Sequence, residues 1–276
     1  MIKPASFQLQ PWPKLRDALV TFLEAHRPHT YYGFTEADVT EALAAIERLR
    51  RQSRLALSFH SYVLSCLAQA ARAHPAVLSY RKGRHILTFA DVDIGTTIER
   101  RMPDGSRVPV AYVLRAAETK SLARIHWELR QAARRDPAAD ETIRQRRRFL
   151  LLPGFFRRLV RRRLTRDPLL LRRFFGTIGC TNLQIAGSAR SGFALPPNVH
   201  TVTVAVGWIT DRLVPGPEGA PQLRRMLCLA CGIDHAVADG IPISRWAQSF
   251  HERLESASGL DESLVEEMRA LRAEAR

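Results

Sequence analysis

The sequence predicts one α+β domain built on a mixed β-sheet. Three observations lead there. Short β-branched or apolar runs of strand length are interspersed with segments whose apolar residues recur every three or four positions. No internal repeat, low-complexity tract or Pro- or Gly-rich linker divides the 276 residues. With 46% hydrophobic residues, the chain can build a sizeable core.

The elements follow in order. Leu15 to Glu24 reads as a short helix, and Tyr31 to Phe34 as an aromatic extended segment. Asp38-Val39-Thr40 opens a helix running to about Arg51, with Thr40 as the expected N-cap and Leu43, Ile46 and Leu49 at helical spacing. A second helix starts at Leu57-Ser58-Phe59, carries Val63, Leu64, Leu67, Ala70 and Ala71 on its buried side, and stops at His74-Pro75. Ile86 to Ile98 holds β-branched strand segments, Met102 to Ser106 a turn, and Val108 to Leu114 a strand. Ser121 caps a helix to about Arg134. Strands are expected near Gly176 to Leu183, from Val199 to Ile209, and at Met226 to Cys231, with a turn at Val214 to Gly219. Ile243 to Leu254 is an amphipathic helix, and the segment from about 260 to 276 a charged, peripheral one.

One block stands apart. From about 144 to 174 the chain mixes arginine clusters with aromatic and aliphatic residues. Arg157, Arg158, Arg161, Arg162 and Arg163 fall within seven residues, beside Phe155, Phe156, Leu159 and Val160. A basic amphipathic helix for an acyl carrier protein or an anionic membrane is one reading. The other is a solvated charged face over a packed apolar one.

Charge narrows the function classes. The net charge is +15, and only four of the 42 basic residues are lysines. Such a field favours anionic partners, including phosphorylated cofactors and anionic lipid. No nucleic-acid-binding motif accompanies it, so nucleic acid is not an expected partner. No apolar run approaches the ~20 residues that span a bilayer, and the first residues lack a signal-peptide core. A cytoplasmic protein, peripheral to a membrane at most, is the expectation. The four cysteines fit it. Cys228-x-x-Cys231 near His235 is not read as a zinc site: no second ligand pair is near, and on a strand the two thiols point to opposite faces.

The chemistry concentrates in Ile233-Asp234-His235-Ala236-Val237-Ala238-Asp239-Gly240, between a buried strand and a helix. A histidine at a strand end is held firmly and can be presented to a cleft. An imidazole with a carboxylate nearby can take a proton near neutral pH. Gly240 is expected to permit a tight turn. The competing reading is a core histidine followed by an N-capping aspartate.

Further segments precede that ending in a definite order: Phe34-Thr35-Glu36-Ala37-Asp38-Val39-Thr40; Leu57-Ser58-Phe59 through Leu78; Asp93-Ile94-Gly95; Val108-Pro109-Val110; and Ser121-Leu122. Together with His235-x-x-x-Asp239-Gly240 they resemble the catalytic domain of the 2-oxo acid dehydrogenase dihydrolipoamide acyltransferases. Chloramphenicol acetyltransferase shares that fold, and His-Ala-Val-x-Asp-Gly is close to its form of the motif. The resemblance implies a chloramphenicol acetyltransferase-like two-layer sandwich. It casts His235 as the general base acting on the thiol of coenzyme A, and Asp239 as the residue that fixes the loop, paired with an N-terminal arginine that falls at Arg16. Thr181, in Gly179-Cys180-Thr181-Asn182-Leu183, becomes the oxyanion donor. It also implies a trimer whose clefts take His235 from one subunit and Thr181 from its neighbour.

Coenzyme A or acyl-coenzyme A is thus the expected substrate, with no metal. The family's usual lipoyl and subunit-binding domains find no room before Leu15, so no lipoyl attachment on this chain is expected. A stand-alone coenzyme A-dependent acyltransferase follows. Its rivals are a non-catalytic trimeric scaffold and a detached dehydrogenase-complex core.

Overall fold

In the computed structural model the described residues are 29–53, 55–101, 105, 107–135, 148–149, 151–183, 192–194, 199–216 and 219–274. The predicted helix at Leu15 to Glu24, Arg16, and most of the Met102 to Ser106 turn lie outside them.

Six strands form one mixed sheet. They are β1 (Thr30–Asp38), β4 (Ile94–Arg101), β5 (Arg107–Leu114), β6 (Ile178–Asn182), β7 (Val202–Pro215) and β8 (Pro221–Asp234), ordered β1-β8-β7-β6-β4-β5. The β6 strand runs parallel to β7 and β4, and the remaining neighbours are antiparallel. A two-stranded ribbon, β2 (Ser79–Lys82) with β3 (His85–Thr88), stands apart from the sheet. The helices are α1 (Thr40–Ser53), α2 (Phe59–Ala73), α3 (Leu122–Arg134), α4 (Gly154–Arg166), α5 (Pro168–Phe175), α6 (Gly240–Glu255) and α7 (Glu262–Glu274). The fold class is α+β with a mixed sheet, as the sequence predicts.

Periodicity explains the core. In β4 the residues Ile94, Thr96, Ile98 and Arg100 are buried in alternation with half-exposed neighbours. In α2 the residues Val63, Leu64, Leu67, Ala70 and Ala71 are buried, and small alanines let the helix approach α6, where Trp246 and Phe250 stack at 5.9 Å. The Tyr62 hydroxyl donates to the carbonyls of Arg253 and Leu254, tying the end of α6 to α2. Leu264 and Met268 of α7 are buried, and α7 packs on α3.

Two details differ from the sequence reading. The extended segment at Tyr31 continues to Asp38, because β1 pairs with β8 along all nine of its residues. Thr40 does not cap α1 with its side chain. Its amide and hydroxyl both donate to Asp38 Oδ1 at 3.0 and 2.5 Å, and its hydroxyl accepts from the Arg225 amide at 2.8 Å. Thr40 thus opens the helix and ties it to β8, while Asp38 makes the capping bond. Ser121, by contrast, caps α3 as expected, accepting from the Arg124 amide at 3.2 Å.

The connection into β6 is tightly built. Asp93 is buried and accepts from the Ala116 amide, Arg115 Nη1 and Arg172 Nε, each at 2.8–2.9 Å. Burial alone would raise its pKa, but the Ala116 amide and the two guanidinium groups outweigh this and hold the carboxyl below its usual range. Arg172 also reaches Asp91 at 2.5 Å and lies over the Phe89 ring at 5.2 Å. These contacts fasten α5 to the sheet edge. Gly176 then turns the chain into β6 at φ +89°, and a Cβ there would lie 2.3 Å from the Asp93 carbonyl oxygen. Thr181 owes its place in the sheet to this junction.

Candidate active site

The β8 strand ends at Asp234, and the next five residues form a loop whose backbone is fixed from several sides. The Asp234 amide donates to the Thr201 carbonyl at 2.9 Å. The amides of Val237 and Ala238 both donate to the Asp234 carbonyl at 3.1 Å. Asp234 Oδ1 accepts from the Ala236 amide at 3.1 Å, the local turn that aspartate favours. The His235 amide donates to the His29 carbonyl at 3.0 Å. Ala238 is buried beneath the loop.

His235 itself is exposed. Its ring leans on Tyr31 of β1, with centroids 5.1 Å apart and planes at 57°. The Tyr31 hydroxyl is buried and bonds to no described residue. Burial first, then the charges of Asp239 and Cys231, push its pKa upward, so it remains a phenol at any ordinary pH.

Asp239 is exposed and precedes α6. Its side chain makes no capping bond to that helix; only its carbonyl takes part, accepting from Ile243 at 3.3 Å. The core-histidine and capping-aspartate reading is therefore set aside. The expectation for Gly240 is corrected too. It is the first residue of α6, has no positive φ, and a Cβ on it would meet no atom within 4 Å. Helical backbone at that position does not require glycine.

Thr181 is half-buried on β6. The register places it beside Ala205 of β7, which stands beside Ala230 of β8. His235 is five residues beyond Ala230, or about 17 Å further along the strand direction at ~3.4 Å per residue, and two strands across. The two side chains cannot share a reacting group within one chain.

Sequence reasoning missed Tyr31, Asp234 and His29 as parts of this site. Asp234 was legible in principle, because Asp-x-Ala after an apolar run is a turn signal. Tyr31 was not, since only the Tyr31 to Ile233 pairing brings it beneath His235.

The described residues contain no group of three His, Cys, Asp or Glu able to hold a metal. Cys228 is buried and its thiol points to Glu36 at 3.7 Å, while Cys231, three residues along the strand, is half-buried.

Of the arginine block, Arg158, Arg162 and Arg163 are exposed on α4 and Arg157 is half-exposed, while the Arg161 side chain is outside the described set. The reading with a packed apolar face is corrected. No described side chain of α4 is buried, and Phe155, Phe156 and Leu159 are 69%, 50% and 56% exposed.

A sheet of this order with its flanking helices is shared with solved structures of dihydrolipoamide acetyltransferases. A probable dihydrolipoamide acetyltransferase from Listeria monocytogenes is 18% identical, superposes over 92% of this chain and 97% of its own, and has a TM-score of 0.68. The Azotobacter vinelandii dihydrolipoamide acetyltransferase is 19% identical over 94% and 98% of the two chains, with a TM-score of 0.66. The cubic core of a pyruvate dehydrogenase multienzyme complex is 17% identical over 94% and 98%, with a TM-score of 0.64. No curated protein matches by sequence. Residues 6–145 match the family of 2-oxoacid dehydrogenases acyltransferase (catalytic domain), and the chain belongs to that family.

Proposed function

We propose that this protein is a coenzyme A-dependent acyltransferase working on its own, with each active site assembled from two copies of the chain in a trimer. The carrying observation is the separation of the two half-sites. His235 stands exposed at the end of β8, and Thr181 lies about 17 Å away along the sheet. Within one chain Thr181 does not reach His235, so in this reading a neighbouring copy supplies it.

The chemistry follows from the groups present. His235 takes the proton from an acceptor thiol, hydroxyl or amine as it attacks the thioester carbonyl. The oxyanion of the tetrahedral intermediate accepts the hydrogen bond of the neighbour's Thr181 hydroxyl. When the C–S bond breaks, the coenzyme A thiolate takes the proton back from the imidazolium. In the reverse direction His235 removes the proton of the coenzyme A thiol, which at a pKa of about 8.5 is mostly protonated at neutral pH. Tyr31 positions the ring, and the Asp234 turn and the His29 carbonyl hold its backbone. Asp239 orders the loop, with Arg16 as its proposed partner.

The Azotobacter vinelandii relative lends support, since a serine, a histidine and an asparagine four residues after that histidine were studied for their roles in its catalytic mechanism. In our reading His235, Asp239 and Thr181 are the counterparts here, with a carboxylate in place of the amide and threonine in place of serine. Release of free coenzyme A from an acyl-coenzyme A donor and a panel of acceptors tests the reading, with His235→Ala as control. Light scattering checks assembly, with about three chain masses expected. A monomer that catalyses transfer, or turnover undiminished in the His235 variant, would refute it. The complex-core reading draws on the pyruvate dehydrogenase core relative. Turnover only with a separately supplied lipoylated domain would favour it.

A further inference from the structure

The catalytic reading leaves α4 unused. This 13-residue helix carries six arginines, no acidic residue, and a continuous apolar stripe. Phe155 and Leu159, and Phe156 and Val160, are pairs four apart that merge into that stripe. On the flanking segments Leu151, Leu169 and Phe174 are exposed as well, at 76%, 51% and 42%. Asp167, which follows the helix, accepts from the Leu169 amide at 3.1 Å to cap α5. The anchored α5, held through Arg172 to Asp93 and Asp91, gives α4 a rigid base.

We propose that α4 docks the protein onto an anionic lipid bilayer, lying in the plane of the headgroups. Charge decides among the possible occupants. A second copy would bring a net charge of +15 against a helix that is itself all basic. A closed groove on an acidic protein would have to bury Arg163 and Arg166, which continue the apolar stripe toward the helix C-terminus, and each would need its own carboxylate there. At a lipid surface long arginine side chains snorkel back to phosphates that are present everywhere, while the rings enter the acyl boundary. No described helix is long and apolar enough to cross a membrane, so the contact is interfacial. Docking also has a geometric consequence. Pro168 and Leu171 share a depression with Asp234 and Val237, on either side of His235, so the α4–α5 unit sits beside the catalytic loop.

Sedimentation of the full-length protein with vesicles tests this directly. Phosphatidylcholine vesicles containing phosphatidylglycerol should retain it, pure phosphatidylcholine vesicles should not, and 0.5 M salt should weaken retention steeply. Changing Arg158, Arg163 and Arg166 together to Gln should lower partitioning at least about tenfold. It should leave thermal stability and turnover of a water-soluble thioester intact. Changing Phe155, Phe156 and Leu159 to Ser, with charge unchanged, should cost at least about tenfold as well. Three results would overturn the proposal: equal retention on both vesicle types, binding of polyglutamate but not of anionic vesicles, or loss of the oligomer in the Phe155/Phe156/Leu159 variant.

Discussion

The His235 loop and α4 are both exposed, and they are built by opposite means. The loop is held by residues from across the chain: His29, Tyr31, Thr201 and Asp234 all contribute a contact. The α4 helix meets α5 at their junction, and none of its described side chains is buried. The first region has one geometry because several strands agree on it. The second is defined by its surface composition, with no buried side chain among its described residues. A reacting group needs the first kind of support, because catalysis is sensitive to displacements of about 1 Å. A docking face on a fluid surface needs only the second.

Substitutions should separate the two regions sharply. The largest effect is expected at His235. His235→Ala should lower kcat by about 10²–10⁴-fold, the usual worth of a general base, with no change in melting temperature because the ring is exposed. A parallel loss of stability would show that the loop depends on the imidazole as well as the backbone. Next, Thr181→Val should lower kcat by about 10²–10³-fold with little change in KM, as for a donor that acts in the transition state. Thr181→Ser should keep most of the activity. Steady-state kinetics on the two variants reads this out, and equal activity of the Val variant and the wild type would move the oxyanion role elsewhere.

The core should respond to acid. Burial pushes the pKa of His60 and of His126 down to about 4. His126 Nδ1 accepts from the Ser58 amide at 3.2 Å, an acceptor role that a protonated ring nitrogen cannot play. A histidine whose folded pKa lies below its unfolded value stabilises fully above the unfolded value. That contribution is lost as pH falls from about 6.5 to about 4, on the order of 1–3 kcal/mol per residue. Urea titrations at pH 7.5, 5.5 and 4.5 should show the decline. Constant stability over that range would contradict it.

Smaller effects sharpen the contrast. Tyr31→Leu removes the ring beneath His235 and should lower kcat by up to about tenfold, in line with an aromatic contact of about 0.5–1.5 kcal/mol. Tyr31→Phe should retain the stacking. If Phe behaves like Leu, the hydroxyl and not the ring is what His235 requires. The smallest change is expected on α4, where Phe155→Ser and Leu159→Ser should alter stability by no more than about 0.5 kcal/mol. A larger loss in a calorimetric scan would reveal a packing partner for that face.

Much of the fold was legible because it follows from local pattern. The buried face of α2, the Ser121 cap and the order of strands around the histidine ending follow from periodicity, capping chemistry and turn residues. So does the amphipathic character of α4. Asp38 instead of Thr40 as the capping side chain was not legible, because β8 competes for the threonine hydroxyl through Arg225. Nor was glycine's dispensability at 240, since a glycine following an aspartate reads as a turn until the helix is seen to begin on it.

The sequence by itself determined which side chains can do chemistry: an imidazole four residues before a carboxylate, a threonine on an earlier strand, and a helix of arginines and aromatics. The tertiary structure alone decided their relations. Strand register placed Tyr31 under His235 and put Thr181 about 17 Å further along the sheet, and Phe155, Phe156 and Leu159 of α4 are exposed. The physical reason is one of range. Periodicity and capping act within a few residues, whereas register and coverage depend on contacts between residues as far apart as Thr30 and Asp234.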